Sequence, residues 1–283
     1  MPLSSLNPAS PSYLDERNSL LKHWENDPLY RNSLSNSVTP QDLKVHRDIS
    51  GFITIGYGLD LLHNSVQAIA GYFIAANIQL AGHTGVGLSQ ADLDLITAYQ
   101  ADPFNTNKIS ALLQGFPALP SEADATALLN VRAAAAENQL DQILGYHIAE
   151  SRERAALASL AYNNASALLG PKLITAIQTD DRAEAWYQIR YASNGGASQS
   201  PGIANRRIDE SNLFSLYDNP GQGVGEAEAK EVLRMYTTHR PEIQAYESRF
   251  STQEKKKVSA TVLRFRHDVP PPLARASDVS ASH

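Results

Sequence analysis

The stretch DISGFITIGYGLD, residues 48–60, carries the strongest signal for the fold. Phe52, Thr54 and Tyr57 are residue types that strands favour, and three glycines within the stretch tolerate the positive φ of tight turns. The pattern predicts a short β-hairpin. A hairpin of this kind holds the polar groups along it in fixed positions.

Three carboxyl groups and one hydroxyl lie in or near this hairpin. Glu25 ends the predicted upstream helix beside Trp24, and an apolar flank disfavours the ionised form of a carboxyl, so Glu25 is the better candidate for a protonated acid. Asp48 and Asp60 lie among polar and glycine neighbours, where carboxylates stay ionised. Thr54 can hydrogen-bond a water against one of them. An acid facing a group that manages a water is typical of glycosidases.

Helical patterns fill most of the remaining chain. They predict helices from residue 12 to Pro28, at 66–80, from Ser89, from Ser121 to about 144, and at 151–163, 180–191, 204–217 and 224–249. The segment SNGGASQSPG, residues 193–202, is predicted as a loop suited to border a cleft.

The predicted fold class follows from these elements. It is α+β and mainly helical, with a small N-terminal β-hairpin and a helical body. One domain is expected over residues 12–250. The Ser, Pro and Asn content of residues 1–11, and the Lys, Pro, Ser and Ala content of 251–283, predict flexible ends.

Composition narrows the function classes. The chain has no cysteine, which removes disulfides, thiol catalysis and zinc–thiolate sites. The eight histidines form no close ligand pair, so neither a metal nor a cofactor is expected. A net charge of −6 argues against nucleic acid as a partner. The sequence shows neither a signal peptide nor a transmembrane segment, so synthesis in the bacterial cytoplasm is expected.

Three ordered motifs carry a family resemblance. DISGFITIGYG, residues 48–58, resembles the hairpin signature of the phage-type lysozymes, the family of the T-even phage enzyme. RAALASLAYNN, residues 154–164, resembles that family's helix ending in a buried Asn, and PGIANRRIDE, residues 201–210, resembles its late arginine motif. The tract from Gly58 through LDLLHN and LPSEADATALL resembles the pesticin-like branch more closely.

The resemblance implies a lysozyme-like fold and the roles of particular residues. Glu25 is implied as the general acid, and Thr54 as the residue that helps to place the water. The aspartate stays open: Asp48 precedes Thr54 by six residues, as in the T-even pattern, and Asp60 follows it by six, as in the pesticin-like pattern. The intervening helices favour Asp60.

Further residues follow from the same resemblance. Tyr57 and Arg206 are implied as substrate-binding or acid-pairing residues, because Arg206 resembles the arginine that ion-pairs with the family's catalytic Glu. Two features depart from the family. Residues 29–44 form an insertion that is predicted to loop out, and Leu59 stands where the phage enzymes carry a histidine.

The implied activity is hydrolysis of the β-1,4 bond between N-acetylmuramic acid and N-acetylglucosamine in peptidoglycan. Inversion is expected, because a nucleophilic aspartate would have no use for a water holder. Two rivals stay open. One is a lytic transglycosylase, and the other is a non-catalytic glycan-binding or structural component of a phage tail or secretion machine.

The expected biological setting is bacteriolytic. The predicted partners are peptidoglycan glycan strands, with an inhibitor or immunity protein or a secretion-machine component as a further partner of a monomeric protein. The cell wall would be reached by lysis-type release or by injection, as for an endolysin, an antimicrobial protein or a toxin effector.

Overall fold

The computed structural model describes residues 13–48, 51–194, 200–218 and 223–254, with side chains as far as Phe250. The helices are α1 (Tyr13–Glu25), α2 (Asp27–Leu34), α3 (Val66–Ala75), α4 (Gln90–Ala101), α5 (Thr106–Gly115), α6 (Glu122–Leu144), α7 (Arg152–Leu168), α8 (Pro171–Gln178), α9 (Arg182–Tyr187), α10 (Pro201–Phe214) and α11 (Glu226–Glu254). A π-helical turn, Gln188–Ala192, continues α9. The strands are β1 (His46–Arg47), β2 (Ile53–Ile55) and β3 (Leu59–Asp60).

The described chain divides into two compact units. Leu14–Asn138 form the first, called the hairpin unit because it contains the strands. Tyr13 and the described residues from Gln139 onward form the second, called the helical unit. The predicted domain bounds of 12 and 250 stay a prediction. The α+β, mainly helical fold class is confirmed.

The three strands form one antiparallel sheet in the order β1-β2-β3. The predicted hairpin corresponds to β2 and β3, and β1 adds a second hairpin that shares β2. Ile53 and Ile55 of β2 are fully buried, and the backbone N–H of Ile53 donates to the hydroxyl of Tyr99 in α4 at 3.1 Å. The central strand is therefore fixed both by apolar burial and by a side-chain hydrogen bond.

Two predicted helix starts are confirmed. Ser89 caps α4 in a capping box with Asp92, in which each side chain accepts a hydrogen bond from the other residue's backbone N–H. The hydroxyl of Ser121 accepts from the N–H of Asp124 at 3.2 Å, at the start of α6. Serine side chains of this kind satisfy N–H groups that the first helical turn leaves unpaired.

Residues 25–34 differ from the prediction. Pro28 was expected to end the first helix, but α1 ends at Glu25 and Pro28 lies in the first turn of α2. Proline is tolerated there because its missing N–H would be unpaired in any case. The insertion at 29–44 therefore starts as helix instead of looping out along its whole length.

Other helices differ in their ends. The helix predicted over 66–80 stops at Ala75, where Asn77 follows with a φ of 54°. α10 begins at Pro201, three residues before the prediction, because Ser200 caps it and proline suits its first turn. α11 continues to Glu254, beyond the predicted end at 249 and beyond the domain bound at 250.

The expectation of a buried Asn at the end of residues 154–164 is wrong. Asn163 and Asn164 are both exposed, and α7 does not end there. Asn164 adopts φ −169° and ψ 92°, which kinks the helix, and its side chain then accepts from the N–H of Ala167 at 3.1 Å. Residues 195–199 of the predicted loop, and the predicted flexible ends except for 251–254, lie outside the described residues.

Candidate active site

Glu25 is the last residue of α1, and its carboxyl group lies against the turn between β2 and β3. A Cβ built on Gly58 would lie 2.6 Å from Oε2 of Glu25, which is closer than real Cβ atoms come. Gly58 also has a φ of 72°, a conformation that glycine adopts without strain. The glycine therefore leaves room for the acid.

Asn26 joins the end of α1 to this turn. Its side-chain oxygen accepts from the N–H of Leu29 at 3.2 Å and so caps α2. Its side-chain nitrogen donates to the carbonyl of Gly56 at 2.9 Å. Because Asn26 follows Glu25 directly, these two bonds hold the backbone beside the acid against the hairpin.

Helix α6 is joined to the same turn by two hydrogen bonds. The buried Tyr57 donates its hydroxyl proton to Glu122 at 2.7 Å, and Arg132 donates to the carbonyl of Gly58 at 2.8 Å. Tyr57 was predicted to bind substrate or pair with the acid. The structure places its hydroxyl on Glu122, and the predicted role stays a prediction.

The groups around Tyr57 keep its phenol protonated and Glu122 ionised, which strengthens the hydrogen bond between them. Burial raises the pKa of Tyr57, and the hydrogen bond to Glu122 raises it further, so the phenol stays protonated. Burial alone would raise the pKa of Glu122, but hydrogen bonds from Lys22, Tyr57 and Thr126 lower it. Lys22 also lies 5.1 Å from the centre of the Tyr57 ring, over its face.

Thr54 and Asp60 are direct partners across β2 and β3, and His46 is the partner of Thr54 on β1. Residues opposite each other in a sheet project from the same face, so these three side chains form one row. The Thr54 side chain is almost fully buried, with 4 % of the residue exposed, and its hydroxyl lies 3.2 Å from Nε2 of His46.

Asp60 is held at the end of β3 by the loop that follows. Its Oδ1 accepts from the N–H groups of Leu62 and His63 at 2.6 and 3.1 Å. Its Oδ2 lies 2.5 Å from Nδ1 of His63, whose side chain is 61 % exposed. The carboxylate therefore has a fixed orientation, with Oδ2 next to an accessible imidazole.

Asp48 occupies a different position from Asp60. Its backbone N–H donates to the carbonyl of Phe52 at 2.8 Å, and its Oδ1 accepts from the N–H of Phe52 at 2.9 Å. Asp48 thus closes the turn between β1 and β2. It lies opposite Phe52, two residues along the strand from Thr54, whereas Asp60 lies directly opposite Thr54.

Arg206 lies in the helical unit. It donates to Glu210 at 3.1 Å and to the hydroxyl of Ser159 at 3.2 Å, and it is 4 % exposed. Arg207 pairs with the other oxygen of Glu210 at 2.8 Å, and burial lowers the pKa of Arg207 although Glu210 opposes the shift. The late arginine motif forms a buried ionic cluster. The pairing of Arg206 with Glu25 that the resemblance implies stays a prediction.

Four residues around the site were not predicted: His46, Asn26, Glu122 and Arg132. A signal existed for His46, because it lies two residues before Asp48 and strand alternation then puts both on one face. Glu122 directly follows the predicted cap Ser121. Nothing in the sequence pairs Asn26 or Arg132 with the turn, because those contacts depend on how the helices pack.

The described part of the chain contains neither a candidate metal site nor a membrane-spanning helix. There, no group of three or more His, Asp and Glu side chains is arranged to hold a metal ion. Within the same residues, none of the helices is both long enough and apolar enough to cross a bilayer.

Comparison with known proteins identifies one family. The family model described as phage lysozyme matches residues 41–210, which is more than half of the chain. No curated protein and no solved structure matches the chain significantly. The matched range contains all three strands and the late arginine motif, and it begins after Glu25.

Proposed function

Because the chain belongs to the phage lysozyme family, we propose that it hydrolyses the β-1,4 bond between N-acetylmuramic acid and N-acetylglucosamine in peptidoglycan. We propose that the reaction inverts the anomeric configuration. Membership of the family makes it a lysozyme-type peptidoglycan hydrolase. The bond, the stereochemistry and the bacteriolytic role are parts of the proposal.

One observation carries the proposal: the Glu25 carboxyl group lies against Gly58, at the turn of the hairpin on which Thr54 and Asp60 face each other. An inverting glycosidase needs a water held on the face of the sugar opposite its acid, and Thr54 paired with Asp60 offers a hydroxyl and a carboxylate side by side for that task. This pairing supports inversion, because a nucleophilic aspartate would have no use for a water holder.

The proposed reaction is a single displacement. Glu25 donates a proton to the glycosidic oxygen as its bond to the anomeric carbon breaks. A water held by Thr54 and Asp60 attacks that carbon from the opposite face, and its proton passes to the Asp60 carboxylate. Loss of that proton and reprotonation of Glu25 from solvent restore the starting state.

The decisive experiment is digestion of purified sacculi followed by mass analysis of the fragments. We expect muramic acid reducing ends in the released fragments. Fragments ending in 1,6-anhydro-muramic acid would instead show a lytic transglycosylase. Binding to sacculi without any release would show a non-catalytic glycan-binding protein.

Stereochemistry needs a separate measurement. Proton NMR of a chitooligosaccharide or glycan digest, recorded within the first turnovers, should show the α-anomer before mutarotation. The initial appearance of the β-anomer would contradict inversion.

The Glu25→Gln variant tests whether Glu25 is the general acid. General-acid catalysis contributes roughly 10²–10⁴-fold, so we expect a loss of that order with an unchanged melting temperature. Glu150→Gln, at an exposed position of the helical unit, is the control and should retain the wild-type rate. A Glu25→Gln variant that keeps more than about a tenth of the wild-type rate would overturn the assignment of the acid.

A further inference from the structure

His46 contacts the hydroxyl of Thr54 and also a backbone carbonyl. Nε2 of its ring lies 3.2 Å from Oγ1 of Thr54, and Nδ1 lies 3.1 Å from the carbonyl oxygen of Lys44. Both contacts are made within β1 and β2 and to Lys44, which lies just before β1. The imidazole therefore bridges the backbone and the threonine.

These two contacts determine the tautomer of the neutral ring. A carbonyl oxygen can only accept a hydrogen bond, so Nδ1 must carry a proton and donate it in a hydrogen bond to the carbonyl oxygen of Lys44. A neutral imidazole then has an unprotonated Nε2, which can only accept. The remaining donor is the hydroxyl of Thr54, whose single proton points to His46.

We propose that His46 is a positioning residue that makes the Thr54 hydroxyl an acceptor toward the attacking water. This inference rests on the proposed function. Because the Thr54 hydroxyl uses its proton in a hydrogen bond to His46, its oxygen offers only lone pairs to a water. The carboxylate of Asp60, which lies opposite Thr54 on β3, is also a hydrogen-bond acceptor. A water bound between two acceptors donates both its protons and keeps a lone pair free to attack the anomeric carbon.

Without His46, the Thr54 hydroxyl can turn and donate to the same water. That bond occupies the lone pair which has to attack, so the water is held in an unproductive orientation. Productive orientation is a large part of catalysis, and errors in placement cost up to about a hundredfold. The role of His46 is thus to set the direction of one hydrogen bond.

The test compares His46→Phe with His46→Gln. Phenylalanine fills a similar space without an acceptor, so we expect kcat on a soluble glycan oligomer to fall about tenfold to a hundredfold with KM unchanged. Glutamine places an amide oxygen near the position of Nε2 and should restore most of kcat. Equal losses in both variants, or a change confined to KM, would overturn the inference.

A double-mutant cycle with Thr54→Val separates positioning from general structural damage. If His46 acts through the Thr54 hydroxyl, His46→Phe should lower kcat no further once that hydroxyl is gone. An additional full loss in the double variant would show that His46 acts in some other way. Thermal melting of all four proteins provides the check on folding.

Nitrogen NMR of the His46 side chain reads the tautomer independently of activity. We expect a protonated Nδ1 and an unprotonated Nε2 at a pH where the ring is neutral, and the reverse pattern would overturn the inference. A wild type that releases no fragments from sacculi would overturn the proposed function and this inference together. An active wild type with an equally active His46→Phe would overturn this inference alone.

Discussion

At the scale of single residues, the two aspartates of the sheet differ in what they face. Asp60 lies directly opposite Thr54, whereas Asp48 lies opposite Phe52 and caps a turn. We therefore expect Asp60→Asn to lower turnover on sacculi far more than Asp48→Asn. Asp48→Asn keeps an oxygen that can accept from Phe52, so its folding should be largely preserved.

Rates of the two variants on one sacculus preparation, with melting temperatures beside them, decide between the aspartates. The opposite order would assign the water to Asp48, as in the T-even pattern. Wild-type rates in both folded variants would rule out a water held by an aspartate.

Gly58 is the second residue whose replacement is informative. Gly58→Ala puts a Cβ 2.6 Å from Oε2 of Glu25, so the acid or the turn must move. Gly82→Ala is a matched control, because Gly82 has a similar positive φ of 81° and nothing within 4 Å of its built Cβ. Both variants should lose about 1 kcal/mol of stability from the strained φ.

Activity should separate these two glycine variants. Displacing an acid by about 1 Å can cost on the order of a hundredfold, so only Gly58→Ala should lose activity on that scale. Denaturant unfolding measures the stabilities, and sacculus digestion measures the rates. A fully active Gly58→Ala would show that Glu25 needs no close contact with the turn.

At the scale of elements, Glu122 links α6 to the β2–β3 turn through Tyr57. Its lowered folded-state pKa means that the carboxylate adds stability above the unfolded-state pKa, and that this contribution is lost as the pH falls through the folded-state pKa. We therefore expect Glu122→Gln to flatten the acid side of the stability profile.

Urea unfolding from neutral to acid pH measures this effect. Tyr57→Phe removes one of the hydrogen bonds that lower the pKa of Glu122, so it should flatten the profile in part. A Glu122→Gln profile as steep as that of the wild type would show that Glu122 does not contribute to acid unfolding.

Local signals account for the elements that the sequence predicts well. Ser89 and Ser121 could be identified as caps because their partners lie three residues away. α2, α5 and α8 were not predicted. Asn26 and Asn105 cap α2 and α5 without an acidic residue three positions later, and Gly170 precedes α8 without a side-chain cap, so none of these starts shows the capping-box pattern of the two serines.

The residues of the candidate site also fall into two groups, those that a local sequence pattern predicts and those that depend on tertiary packing. Glu25, Thr54 and Asp60 could be proposed from one short segment and the helix before it, because a hairpin fixes the pairing of its own residues. Glu122 and Arg132 reach the turn from α6, more than 60 positions away along the chain. Contacts over such separations depend on packing, which no local pattern encodes.

At the scale of the whole molecule, the C-terminal segment separates stability from other roles. Residues 255–283 lie outside the described residues, and their Lys, Pro, Ser and Ala content predicts little apolar burial. A chain ending at Glu254 should keep the wild-type melting temperature and activity on purified sacculi. A lower melting temperature would show that the segment packs on the protein.

A second, shorter chain is the control for that truncation. Ending at Ala245 removes Tyr246 and Phe250, which are buried and whose rings lie 4.7 Å apart. Tyr246 also contacts Tyr191, 5.4 Å away between ring centres. This chain should therefore melt at a lower temperature than the one ending at Glu254.

The contact between Gly58 and Glu25 also constrains how the family can diverge. A side chain at position 58 would displace the acid from the turn, so the two positions should change together. A relative that has lost catalysis no longer needs the carboxyl group. Only the φ of 72° then limits position 58, and Asn and Asp tolerate that conformation better than most residues. Relatives with Asn or Asp at this position should accordingly be ones that have lost the acid.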